Sequence, residues 1–170
     1  MQTGVFVLLT ILLLAFTLSR PQRHRFYRFF AFESVLGLVL LNSDAWFLDP
    51  FSVLQLISWT LLIGSLLLAL HGFRLLRTTG SPDGDIEDTT RLVTTGAYRH
   101  IRHPLYCSLL ILGVGAFLKD PSVLGFSLLV ILLLFLYATA KVEERDNLQK
   151  FGSAYREYMK KTKMFIPYLL

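Results

Sequence analysis

Apolar residues run through this chain in blocks too long for the core of a small soluble domain. The first block covers residues 4–18, with no positive charge before it and Arg20, Arg23, Arg25 and Arg28 behind it. A cleaved secretory signal carries its charges first, so this block reads as a retained helix, although a short one. A second, 29–41, holds Glu33 and ends in Asn42-Ser43-Asp44, which makes it short for a crossing; the third, 51–73, is continuous and rich in leucine. Two further blocks, 105–118 and 122–139, are separated only by Lys119-Asp120-Pro121, a pattern that predicts a tight helical hairpin with a proline opening its second arm. At roughly 20 apolar residues per crossing, the pattern predicts about five transmembrane helices. Between the third and fourth lies a polar stretch, 74–104, whose Gly80-Ser81-Pro82-Asp83-Gly84-Asp85 cluster is rich in turn formers and reads as a loop. From Lys141 the chain becomes charged and amphipathic. The expected fold is therefore an all-α, integral membrane helical bundle. It forms one domain over residues 1–170, with N-terminal transmembrane helices (1–73), a loop (74–104), a helical hairpin (105–140) and an amphipathic C-terminal helix and tail (141–170).

Composition supports the membrane reading and charge gives it a direction. Hydrophobic residues make up 54% of the 170 and charged residues only 17%, with a mean hydropathy of +0.54, far too apolar for an ordinary soluble domain. One cysteine, Cys107, rules out an intramolecular disulfide and a cysteine-held metal cluster. A net charge of +5 raises the question of nucleic acid, but that requires a basic, aromatic-lined face in water, and topology explains the charge more simply. If all five segments cross, sixteen of the 17 lysines and arginines fall on one side, Lys119 being the exception. The positive-inside rule then places the 74–104 loop and the C-terminus in the cytoplasm and the N-terminus outside. The expected partners are the lipid bilayer and a lipophilic or lipid-modified substrate, with neither nucleic acid nor metal.

Candidate chemistry concentrates where polar segments meet apolar helices. The run from Leu92 to Tyr106 packs glycine, aromatics, arginines and histidines against the start of a hydrophobic helix. Pro104 holds His103 extended and suits the first helical turn, so the helix should begin at Pro104. Its free backbone N–H groups, with Arg102 and His103 beside them, suit an anionic group such as a cofactor carboxylate. The plainer reading is that Arg99 and Arg102 anchor the membrane edge while Tyr98 and Tyr106 join an aromatic belt. A second element tilts the balance: Glu143-Glu144, where the last apolar segment ends. Glu144, Leu148, Phe151, Tyr155 and Tyr158 are spaced four, three, four and three apart, so a carboxylate shares the apolar stripe of a helix. The plain alternative is a solvated acid pair offset by Lys141 and Arg145. Ionisable groups at membrane depth that face a bundle mark functional sites, and a basic wall opposite an acidic one suits a zwitterionic ligand.

Taken together, Leu-Val-x-x-Gly-x-Tyr-x-x-x-Arg-His-Pro-x-Tyr, then Glu-Glu, then Phe-Gly-x-x-Tyr-x-x-Tyr and a near-terminal proline closely resemble the isoprenylcysteine carboxyl methyltransferase and phospholipid methyltransferase superfamily, over residues 91–167. The resemblance implies an S-adenosylmethionine pocket at the cytoplasmic helix ends, with a lipophilic substrate arriving from the bilayer. Its cofactor contacts would be Leu92, Val93, Tyr98, His103, Pro104, Leu105, Tyr106 and one or both of Glu143 and Glu144, with Arg102 beside them. Gly113 and Gly115 are weaker candidates, since small residues in membrane helices more often serve close packing. Prenylcysteine-directed members usually carry an arginine one turn before the first glutamate; here that position is Thr139, which puts that substrate in doubt unless Lys141 or Arg145 substitutes.

Methyl transfer from a sulfonium is an in-line displacement that needs alignment and exclusion of water. Glu143, Glu144 and Tyr106 are the expected catalytic residues, Glu144 and Tyr106 chiefly by positioning. An amine or thiol acceptor must also lose a proton, which Glu143, Glu144, His100 or His103 could take. His24 and His71 read as interfacial polar residues and Cys107 as a packing residue. Gly80 and Gly84 follow no strand, which disfavours a dinucleotide-binding turn. The alternatives are a membrane reductase of the sterol reductase kind using a nicotinamide cofactor, and a non-enzymatic lipid-binding membrane subunit.

Overall fold

Two long helices set the frame. The computed structural model describes residues 2–18, 25–83, 86 and 89–167. Arg20, Arg23, His24, Gly84 and Asp85 lie outside the described residues. In chain order the α-helices among them are α1 (Gln2–Leu18), α2 (Arg25–Leu41), α3 (Val53–Leu75), α4 (Pro104–Phe117), α5 (Val123–Phe151) and α6 (Ser153–Lys161). α3, extended by a π-type turn to give Val53–Gly80, and α5 are each long and apolar enough to cross a membrane. Only 22% and 28% of their most apolar windows are buried, so their leucines face outward, as a lipid environment demands and water would penalise. The apolar stretches Gly4–Ala15 and Pro104–Phe117 are shorter.

Local chemistry explains where these helices start and stop. Ser52 and Ser122 cap α3 and α5, each accepting from the backbone N–H three residues on, at 3.4 Å and 3.1 Å. Pro121 thus precedes the cap instead of opening the helical arm, because a serine oxygen satisfies an orphan N–H that a proline ring cannot. α4 begins at Pro104 as its sequence requires. α5 does not end with its apolar run: good helix formers carry it past Thr139 to Phe151, and Gly152, at φ 56°, makes the break. The stripe from Glu144 to Tyr158 is consequently shared by two helices.

α3 packs on α4 and α2 on α5, around a core of Ala31, Leu38, Tyr106, Ala116, Leu132 and Leu136, closed below by Phe165 from the C-terminal segment. A Cβ on Gly113 would lie 2.5 Å from Leu132 Cδ2, and one on Gly115 would lie 3.0 Å from Leu62, so both glycines serve helix contact, away from the loop. Ser58 donates to the Gly115 carbonyl at 2.7 Å across the same seam. Thr10 of α1 donates to Glu33 of α2 at 2.6 Å. At the α4–α5 turn, Lys119 is buried: its ammonium donates to Gln55 Oε1 at 2.9 Å and lies 3.8 Å over the Trp59 ring.

The 74–104 segment is held down at several points. Arg91 N–H donates to the Gly80 carbonyl at 3.0 Å and Thr90 N–H to Ser81 at 3.3 Å, and Thr89 Cγ2 sits where a side chain on Gly80 would go. Gly96 adopts φ 57° with His71 and Leu75 pressed against it, and the next residue's N–H donates to His71 Nε2 at 3.3 Å. That contact gives His71 a positioning task beyond interfacial polarity. From the other side, the tail after α6 runs alongside residues 101–103: Arg102 N–H donates to the Lys163 carbonyl at 2.8 Å and His103 N–H to Met164 at 3.2 Å.

Candidate active site

The loop, the start of α4, the end of α5 and α6 converge on one cleft. Arg102 has a side chain 9% exposed: Nε donates to Glu144 Oε1 at 2.6 Å, while Nη1 donates to the Thr162 carbonyl and, at 3.4 Å, to Met159. Glu144, 4% exposed, also has the Lys141 ammonium 3.5 Å from its Oε2. The pair is a buried arginine–carboxylate bridge in which Nη1 also meets backbone carbonyls, as a charge out of water requires.

His103 sits between the two glutamates, Nδ1 3.5 Å from Glu143 Oε2 and Nε2 3.7 Å from Glu144 Oε1. Its ring stacks on Tyr106 with centroids 5.6 Å apart. Burial by itself would lower the imidazole pKa, but the two carboxylates outweigh it and raise the group above 6.5. Nε2 is buried without a hydrogen-bond partner. Tyr106 donates its hydroxyl to Glu143 Oε1, and Tyr158 donates to the Tyr98 carbonyl at 2.6 Å, tying α6 to the loop. Burial, before any charge effect, pushes the Tyr155 and Tyr158 phenols up, so both stay neutral at physiological pH.

The cleft these groups bound encloses about 580 Å³ of space that is partly open to solvent. Of the residues singled out from sequence, Leu92, Val93, Tyr98, Arg102, His103, Leu105, Tyr106 and Glu143 line it. Pro104 and Glu144 do not: Pro104 is fully buried where α4 meets Gly72 of α3, and Glu144 lies behind the lining, bound to Arg102. His100 is exposed outside the cleft. Six more residues complete the wall. Phe151, Tyr155 and Tyr158 were legible as part of the stripe, whereas Leu76, Thr89 and Asn147 were not read as site residues. Asn147 lies four residues beyond Glu143 and was detectable by helical spacing. Leu76 arrives on the π-type turn that continues α3, and Thr89 through the folding of the loop, which leaves no periodic signal.

Long apolar helices with outward-facing leucines, and a cleft lined by paired charges, define a class: an integral membrane protein with a polar candidate site. Residues 53–154 match the family described as phospholipid methyltransferase, and the chain belongs to that family. Methanethiol S-methyltransferase 1 of Bradyrhizobium diazoefficiens is 27% identical over 164 residues, covering 88% of this chain and 56% of that protein. A probable protein-S-isoprenylcysteine O-methyltransferase of Oryza sativa subsp. indica is 37% identical over 86 residues, 49% of this chain and 44% of that protein. Its counterpart in subsp. japonica aligns to the same extent. The chain thus spans about half the length of the curated relatives it matches. No solved structure shows a significant match.

Proposed function

We propose that the chain transfers a methyl group from S-adenosylmethionine to a lipophilic or small membrane-partitioning nucleophile, and that the cleft is where the donor binds. One observation carries the reading: a single cleft is lined by Arg102, His103 and Glu143, cationic and anionic groups side by side, together with apolar and aromatic residues. Those groups fit a zwitterionic amino-acid moiety. Arg102 and a protonated His103 would face its carboxylate and Glu143 its ammonium, while Leu92, Val93, Leu105 and Tyr106 would enclose the less polar part. Glu144 would act from behind by fixing Arg102, and Pro104 by fixing the start of α4. When bound, the cofactor supplies an electrophilic methyl group on a sulfonium.

The chain's own contribution is alignment and exclusion of water. Tyr106, held by its bond to Glu143 and its stack on His103, presents a rigid edge to the cleft. Thr139 is completely buried, and its hydroxyl donates to the Phe135 carbonyl at 2.7 Å, so this position offers an acceptor carboxylate no cation. Lys141 comes nearest to substituting, but its ammonium is directed to Glu144. The charge pattern accordingly favours a thiol or amine acceptor over a prenylcysteine carboxylate, in keeping with the thiol named for the bacterial relative. Such an acceptor must also lose a proton as it is methylated.

Calorimetric titration of the detergent-solubilised protein with S-adenosylmethionine and, separately, NADPH tests the donor. Binding of the first and not the second, weakened in Glu143→Gln and His103→Ala, is the expected result; unchanged affinity in both variants refutes the site. Transfer of label from methyl-labelled donor to a thiol, an amine lipid or a prenylcysteine in membranes then identifies the acceptor.

A further inference from the structure

A second concavity lies on the outer side of the C-terminal segment, and its chemistry differs from that of the cleft. Arg99, His100, Lys160, Lys161 and Lys163 border an open groove of about 890 Å³, together with Thr162 and Pro167. No carboxylate lines it. Lys160 turns to Glu157, 2.6 Å away, but Arg99, Lys161 and Lys163 meet no acidic side chain among the described residues. Like charges converge here because the backbone holds them: the parallel bridge between Ile101 and Lys163, with Lys163 N–H donating to the His100 carbonyl at 3.5 Å, sets the two basic runs side by side. Such a cluster of exposed like charges sets up a positive potential that draws anions to the groove.

Depth identifies the anion. Two residues after Lys163 the chain buries Phe165 in the protein's own core, and one residue after His103 the apolar helix α4 begins, packed on α3, which is long and apolar enough to cross a membrane. The groove is thus level with the bilayer surface, and Ile166, half exposed beside it, is an apolar side chain at the same level. We propose that this groove binds the phosphate of an anionic phospholipid headgroup in the adjoining leaflet, with Arg99, Lys161 and Lys163 as its ligands. The bound lipid would also brace the active cleft. Thr162 lies in the groove wall, and its carbonyl accepts from the Arg102 guanidinium that fixes Glu144. The lipid site stands without the methyl-transfer reading, and only the bracing depends on it.

The test reads lipid directly. Protein reconstituted in nanodiscs of phosphatidylcholine, with or without phosphatidylglycerol, is released into native mass spectrometry and its retained lipids are counted. Wild type should hold one more phosphatidylglycerol than the Lys161→Glu/Lys163→Glu variant and melt higher in the anionic discs, a rise the variant lacks. Equal retention by the two proteins overturns the proposal. Should the double reversal fail to fold, Lys163→Gln replaces it, with reduced retention expected and unchanged retention counting against the site. Inorganic phosphate is the second arm: if millimolar phosphate in neutral discs gives wild type the same melting rise, the groove serves a soluble anion and the lipid assignment falls. Loss of phosphatidylglycerol retention without any change in S-adenosylmethionine affinity removes the bracing and leaves the lipid site standing.

Discussion

The two ends of the α4–α5 hairpin both bury charge, and they do so in opposite ways. At the turn, Lys119 is covered by one amide and by two indole rings, with Gln55 accepting from its ammonium and donating back to its carbonyl at 2.9 Å. Next to it Asn42 donates to the Ala116 carbonyl at 2.7 Å. None of these residues lines the cleft. At the other end, Arg102, His103, Glu143 and Glu144 interlock around a cleft, and one imidazole nitrogen is left without a partner. A buried charge enclosed by packed side chains locks a structure, whereas a cluster of charges that borders a cavity is prepared for a ligand. The difference lies in the cleft, which the second cluster lines and the first does not, since both regions are polar, both are buried and each holds a polar atom without a partner, Trp46 Nε1 at the turn and His103 Nε2 at the site.

The largest expected effect comes from breaking the second cluster. Glu144→Ala strands Arg102 in a buried site and should cost about 3–5 kcal/mol, seen as a lowered melting temperature together with loss of donor binding. Lys119→Met should cost about 1–3 kcal/mol through the stranded Gln55 oxygen and lost cation–π contact, yet leave donor affinity unchanged. That separation of stability from binding is what distinguishes the two ends, and a Lys119→Met protein with weakened donor binding would erase it. Gly113→Ala should fall in a similar range, about 1–3 kcal/mol, by pressing on fully buried Leu132, again without touching the cleft.

A pH series sharpens the contrast further. The folded pKa of His103 is raised above 6.5, so the stability it contributes is complete below about 6.5 and is lost as the pH rises through the raised value. Donor affinity should weaken over the same interval, and His103→Gln should flatten the profile; an unchanged slope in that variant would remove the imidazole from the site. Tyr106→Phe should show the smallest effect, about 0.5–1.5 kcal/mol from the lost bond to Glu143, measured as a modest rise in the donor dissociation constant.

The sequence by itself determined the features that local physics controls. Leucine-rich runs required lipid, Pro104 fixed the start of α4, and the paired motifs around Arg102-His103-Pro104 and Glu143-Glu144 marked the family. Tertiary structure decided how those motifs meet. Arg102 and Glu144 are 42 residues apart, and no periodicity announces that one guanidinium will close on that carboxylate and on the carbonyl of Thr162. Spacing set Glu144 and Tyr158 on one stripe, but Gly152 breaks the helix between them, and the folded chain keeps Glu143 at the cleft and Glu144 behind it. Thr89 reaches the wall, beside Leu76 on the extension of α3, because a loop folds back on Gly80. Helical faces follow from a repeat of 3.6 residues, and a sequence displays that repeat openly. Contacts between distant segments depend on which donors remain unsatisfied once the helices have packed, and only the folded chain settles that.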